Sequence, residues 1–226
     1  ASLVTSQIKE KEKNTKMMIS ILSEVVEFRN GESGQHVLHI GTLTQRLLER
    51  LTQKTDRYDL PPETQELIVM ASALHDIGKV AIDDKILNKP GRLTPEEFDL
   101  MKTHTVVGAN MLDHLGRYKN EALVKPAHDI CRWHHERWDG KGYPDGLKGD
   151  EIPIAAQVVS VADVYDALTS VRVYKDAIPH EEAIQMILDG KCGTFNPLLL
   201  DCLLEVQDQI AETLARPADV VAFPTI

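Results

Sequence analysis

The sequence predicts an all-helical bundle, and three observations carry that prediction. Apolar residues return at three- and four-residue intervals through most of the 226 positions, the period of a helix buried along one face. Proline and glycine punctuate those stretches where helices would open and close. No stretch is convincingly rich in the alternating pattern of a half-buried strand.

The elements follow in order. Residues 6–16 are charged and nearly featureless, a solvated lead-in. From there Met17, Met18, Ile21, Leu22, Val25 and Phe28 fall at helical spacing and are expected to form one buried face. Gly31 and Gly34 bracket a break, and a second helix runs through Val37, Ile40, Leu43, Leu47 and Leu51, a stripe expected in the core. Pro61-Pro62 opens a third, which carries Leu67, Ile68, Met70, Ala71 and Leu74 into His75. Residues 77–93, with Gly78, Asp83-Asp84 and Lys89-Pro90-Gly91, read as a loop. Thr94-Pro95-Glu96-Glu97 places an N-cap before a proline and opens a helix to about Leu115. Another helix covers about 120–137, and 138–153 is a long loop with four glycines. Helices near 154–170, 180–190 and 196–215 complete the bundle before an irregular tail.

Composition narrows the setting. The net charge of −10 disfavours duplex nucleic acid and anionic membrane surfaces, which need clustered Lys and Arg. It leaves room for a small anionic ligand, because bound divalent metals reverse the field locally. Cys131, Cys192 and Cys202 are odd in number and lack C-x-x-C spacing, which points to a reducing, cytoplasmic setting without a thiolate zinc site. No apolar run is long enough to span a membrane. The chain begins at Ala1 rather than Met, and an upstream sensory, receiver or cyclase domain is expected outside it.

Residues able to ligate metal recur about once per helix. Glu32 and His36 are four apart and share a helix face. His75-Asp76 and His134-His135 are adjacent pairs, about 100° apart on a helix, which suits a site wide enough for two metals with a bridging carboxylate. His104 lies mid-helix, and Asp163 follows the apolar run Val158-Val159-Ser160-Val161-Ala162, where a carboxylate needs a cation or a donor. Singly, each fits a cap, a surface position or a packing role. Eight together point to a metal cluster. His39, His114, His128 and His180 read as surface or packing residues. Asp139 and Asp166 fit two readings, orienting ligand imidazoles or serving loop and helix. Trp138 and Tyr143 also fit two, stacking on a guanine or bracing the loop.

His75-Asp76-Ile77-Gly78-Lys79, His134-His135-Glu136-Arg137-Trp138-Asp139-Gly140 and Gly142-Tyr143-Pro144 together resemble the HD-GYP family of bacterial cyclic di-GMP phosphodiesterases, from about Glu32 to Leu204. The resemblance implies an HD-domain helical bundle with an additional C-terminal helical part and a GYP loop. It divides the chain into an N-terminal linker and amphipathic helix (1–29), the phosphodiesterase domain (30–215) and the tail (216–226). It matches Glu32, His36, His75, Asp76, His104, His134, His135 and Asp163 to metal ligands, with Asp76 bridging. It also matches Lys79, Arg172 and Lys175 to phosphate contacts, and makes Gly142, Tyr143 and Pro144 substrate-facing. Glu32 implies room for three divalent ions rather than two, iron or manganese before zinc, nickel or cobalt. Val171, Val173 and Asn196 depart from the family pattern, without touching a matched ligand.

The chemistry expected is hydrolysis of cyclic di-GMP to pGpG, and onward to GMP, by metal-bridged hydroxide, with Lys79 countering charge in the transition state. Two alternatives stand beside it: a catalytically weak cyclic-dinucleotide receptor, and a phosphodiesterase for another cyclic dinucleotide such as cyclic GMP-AMP. A homodimer through the helix from Met17 to Phe28 is a further expectation.

Overall fold

Helix α2 (Gln35–Lys54) shows how the apolar period becomes a core. Its Ile40, Leu43, Leu47, Leu48 and Leu51 are all fully buried, and each such side chain removed from water contributes on the order of 1.5–3 kcal/mol. The computed structural model describes residues 2–29, 35–170 and 177–214, and not the side chains of residues 2–4, 8, 9 and 12. Among the described residues every regular element is helical, as expected. Helix α1 (Ser2–Arg29) precedes α2, which packs on α3 (Pro62–Ser72), α7 (Ile154–Thr169) and α9 (Pro197–Leu214). Helix α6 (Val124–Trp133) packs on α3, α7 and α5 (Pro95–Asp113), with the one-turn α4 (Asp84–Leu87) before α5, and α8 (His180–Leu188) closes against α7 and α9. No described helix is long and apolar enough to cross a membrane.

Local chemistry sets the helix ends. Thr94 Oγ1 accepts the Glu97 amide while Glu97 Oε2 accepts the Thr94 amide at 2.7 Å, a reciprocal cap that starts α5 at Pro95. Asn196 Oδ1 accepts the Leu198 amide at 3.0 Å and opens α9, a role Asn fills as well as Asp.

Three expectations are corrected. Residues 77–93 contain helical turns as well as loop, namely a 3-10 helix at Ile77–Ala81 and α4. His134 and His135 lie just past the end of α6 rather than within it. The apolar stripe of α1 is not buried: Met17, Met18, Ile21, Leu22, Val25 and Phe28 are all more than half exposed. The helix instead packs through Ile19, Ser23, Val26 and Glu27, and at 100° per residue these lie on the opposite side of the cylinder. The break at Gly31 and Gly34 and the tail from Pro217 lie outside the described residues.

Candidate metal centre

The His75-Asp76 pair sits where α3 tightens. Beyond Ser72 the backbone bonds run from each amide to the third carbonyl back: Leu74 to Ala71, His75 to Ser72, Ile77 to Leu74 and Lys79 to Asp76, at 2.9–3.2 Å. In such a 3-10 path, side chains three apart eclipse one another. Lys79 therefore stacks over Asp76, with Nζ 2.7 Å from Oδ2. Gly78 lets this turn lie directly on α5. A Cβ there would run into the His104 carbonyl and come within 2.6 Å of the Gly108 amide. That contact delivers His104 Nε2 to 3.2 Å from Asp76 Oδ1.

The remaining imidazoles converge from α2 and the end of α6. Ligand atoms of Asp76, His104, His134 and His135 all lie within 4.8 Å of one another, and so do those of His36, His75 and Asp76. His36 Nε2 is 3.4 Å from His75 Nε2, and His75 Nε2 is 3.2 Å from Asp76 Oδ2. Asp163 stands on the second side, 4.0 Å from His75 Nε2, but joins neither group at that spacing. Asp76 thus belongs to two neighbouring groups, with one oxygen facing each.

Ring orientation suits metal binding. Three Nδ1 atoms are engaged behind the site: His75 donates to the Ser72 carbonyl at 2.9 Å, His104 to Met101 at 2.7 Å and His134 to Ile130 at 2.9 Å. That leaves Nε2 pointing inward, the arrangement that fixes an imidazole as a ligand. Asp76 Oδ1, His104 Nε2 and His134 Nε2 are buried without a hydrogen-bond partner among the described residues. Buried polar atoms left so are costly, and a divalent cation satisfies all three. The residues fit the group.

Charge within the cluster is uneven. Burial alone would depress His75, but the Asp76 carboxylate, with Asp163 and Glu27 beyond it, lifts it to about 10. Burial and the charge of His75 push His134 down to about 3. Burial likewise holds His135 well below the usual histidine range. Asp76 stays well below the usual carboxylate range despite its burial, held there by Lys79 and His75.

Supporting residues complete the frame. Asp166 receives His36 Nδ1 on one oxygen and His39 Nδ1 on the other, both at 2.6 Å. Asp166 therefore orients a cluster imidazole, whereas Asp139 accepts from the Lys141 amide and caps its loop. His39 is more than a surface residue, and its spacing of three from His36 was the signal available. Glu136 Oε1 accepts the amides of Asp145 and Gly146 at 2.7 and 3.0 Å, and Arg137 donates to the His134 carbonyl and to Ser160 Oγ. Sequence reasoning assigned neither of them a role. Gly142 presses on the backbone of residues 135–137, a position where any Cβ would collide. The loop therefore turns back, and the Tyr143 ring lies 4.8 Å from that of His135, inclined at 32°. Pro144 follows through a cis peptide bond. Glu32, Arg172 and Lys175 lie outside the described residues.

The HD domain family model matches residues 16–197. The chain belongs to the HD domain family. Members bind divalent metals, and the His/Asp cluster stands where such ions would be held. A probable cyclic di-GMP phosphodiesterase of Vibrio cholerae serotype O1 is 41% identical over 206 residues, 89% of this chain and 46% of that protein. A cyclic di-GMP phosphodiesterase of Thermotoga maritima is 39% identical over 204 residues, 89% of this chain and 52% of that protein. This HD domain chain therefore spans about half the length of these relatives. A solved cyclic GMP-AMP specific phosphodiesterase of V. cholerae superposes with a TM-score of 0.63 at 19% identity, covering 92% of this chain and 52% of the other. That likeness bears on the fold alone. The HD-GYP resemblance read from the motifs agrees with these findings.

Proposed function

We propose that this HD domain hydrolyses cyclic di-GMP to pGpG, and onward to GMP, using two or three divalent metal ions, iron or manganese. The observation that carries the reading is the place of Asp76 in two adjacent ligand groups, the layout a bridged metal pair requires. The names of the two relatives supply the substrate. When bound, the metals would draw negative charge from the phosphate and acidify water at neutral pH.

The chain's residues divide the work. His104, His134 and His135 form one side of the centre, and His36, His75 and Asp163 the other, with Asp76 between them. Glu32 is a ligand by the family match and would make room for a third ion. Lys79 brings an ammonium to the same edge, where it counters charge as the phosphate is attacked. Tyr143, held between Gly142 and Pro144, faces the substrate beside His135, and Arg172 and Lys175 contact its phosphates. Helix α1 supports a homodimer: six large apolar side chains from Met17 to Phe28 are each more than half exposed on one face, which a second copy would cover. The setting is cytoplasmic, with a sensory, receiver or cyclase domain upstream.

The test is a product assay. Protein purified anaerobically and loaded with Fe or Mn should convert cyclic di-GMP to pGpG by chromatography, faster than cyclic GMP-AMP in parallel. Asp76→Ala should lower turnover at least about a hundredfold. Stoichiometric metal and tight ligand binding without pGpG would sink the enzyme and leave a receptor.

A further inference from the structure

Helix α1 ends on the segment that carries the catalytic lysine. Arg29 Nη1 donates to the carbonyls of Lys79 at 3.0 Å and Val80 at 2.6 Å, and Nη2 to that of Ile82 at 2.6 Å. These carbonyls lie at the end of the 3-10 helix Ile77–Ala81 and just past it, where the Lys79 oxygen also accepts the Ile82 amide at 3.0 Å. Asp84 holds the same guanidinium at 2.9 Å, and Asn88 Nδ2 donates to the Arg29 carbonyl at 3.2 Å. One turn and a half upstream, Ser23 Oγ donates to the Ala73 carbonyl at 2.7 Å, two residues before His75. A planar fork on three carbonyls within four residues fixes direction as well as position, which a point charge does not.

We propose that Arg29 is a positioning residue that sets Lys79 against Asp76, so that the end of α1 governs the charge Lys79 presents to the phosphate. Removing the fork loosens the end of the 3-10 helix beyond its Gly78 contact with α5, and with it the hold of Lys79 Nζ at 2.7 Å from Asp76. The cluster imidazoles come from other elements or from earlier in the turn, and Asp76 precedes the helix whose far end Arg29 holds, so metal content stays intact while turnover falls. The proposal rests on the cyclic-dinucleotide reading, since Lys79 matters only where a phosphate is bound or attacked.

The experiment is a double-mutant cycle on the metal-loaded protein. Arg29→Ala should lower kcat roughly tenfold with KM changed less, at unchanged metal per chain. In a Lys79→Ala background the same substitution should change kcat less than about twofold, because its effect passes through Lys79. Arg29→Lys keeps the charge but not the fork, and should fold normally with a smaller loss. An equal loss in both backgrounds, or loss of metal with Arg29→Ala, overturns the proposal. If the unaltered protein shows no turnover, the same four-variant cycle is read on cyclic di-GMP affinity. Coupling there upholds the clamp while the enzyme reading falls, and additive effects overturn the clamp.

Discussion

A histidine ligates metal only as the neutral ring, so the proton on each imidazole decides when metal enters. His134, at about 3, and His135, lower still than usual, are already neutral near pH 7. His75, lifted to about 10 by Asp76 against its own burial, is protonated there. Metal uptake must displace that proton, so affinity rises with pH up to about 10 and weakens as pH falls. Calorimetry at pH 7 in buffers of different ionisation enthalpy should register release of about one proton or more per chain. Uptake without release would show that His75 is not displaced. The same residue explains Lys79 and Asp76: three groups share two positive charges and one negative within hydrogen-bond distance, a balance that the incoming cation replaces.

At the level of elements, the contact between the 3-10 helix and α5 is the tightest constraint on the centre. Gly78→Ala drives a Cβ into backbone at His104 and Gly108, and backbone cannot rotate aside. It should destabilise the fold by roughly 3 kcal/mol, the upper range for overpacking, and lower metal content with it. Gly108→Ala meets Gly78 N at 3.2 Å and side chains at 3.3–3.4 Å, so it should cost less. Thermal unfolding of the two variants checks the order, and a Gly78→Ala protein melting like the original refutes it. This junction was only half legible in the sequence. The His75-Asp76 doublet and Gly78 stood out, but nothing in residues 77–81 announces a 3-10 path, because its bonds arise from docking on α5. The stripe of α2 was readable because it faces a crowded core. The stripe of α1 has the same period and faces nothing in the described chain, for periodicity gives a face and not its partner. His36, His75, Asp76, His104, His134 and His135 were readable as ligand types, and their convergence depends on helix packing the sequence does not spell out. Arg29 and Arg137 act largely through backbone carbonyls, interactions with no residue signature, whereas the spacing of His39 from His36 was readable.

For the whole molecule, α1 is the helix whose apolar stripe lies uncovered among the described residues. Its outer face carries six large apolar side chains, with Phe28 86% exposed, and apolar residues grouped in this way favour association. Sedimentation at micromolar concentration should show a dimer, and Ile21→Glu with Val25→Glu should shift it to monomer while leaving the melting of the bundle near its original value. A monomeric original protein would rule the dimer out. The centre also bears on how the chain folds. Its parts lie far apart along the chain, from His36 in α2 through His135 beyond α6, and the carboxylate that steadies His36 comes from Asp166 in α7. Closing loops of that length is slow, and long-range contacts form after local helices. Until α7 docks, His36 has no Asp166 to steady it and the second half of the centre is incomplete. A cation that needs both groups would therefore be captured only after α7 has docked.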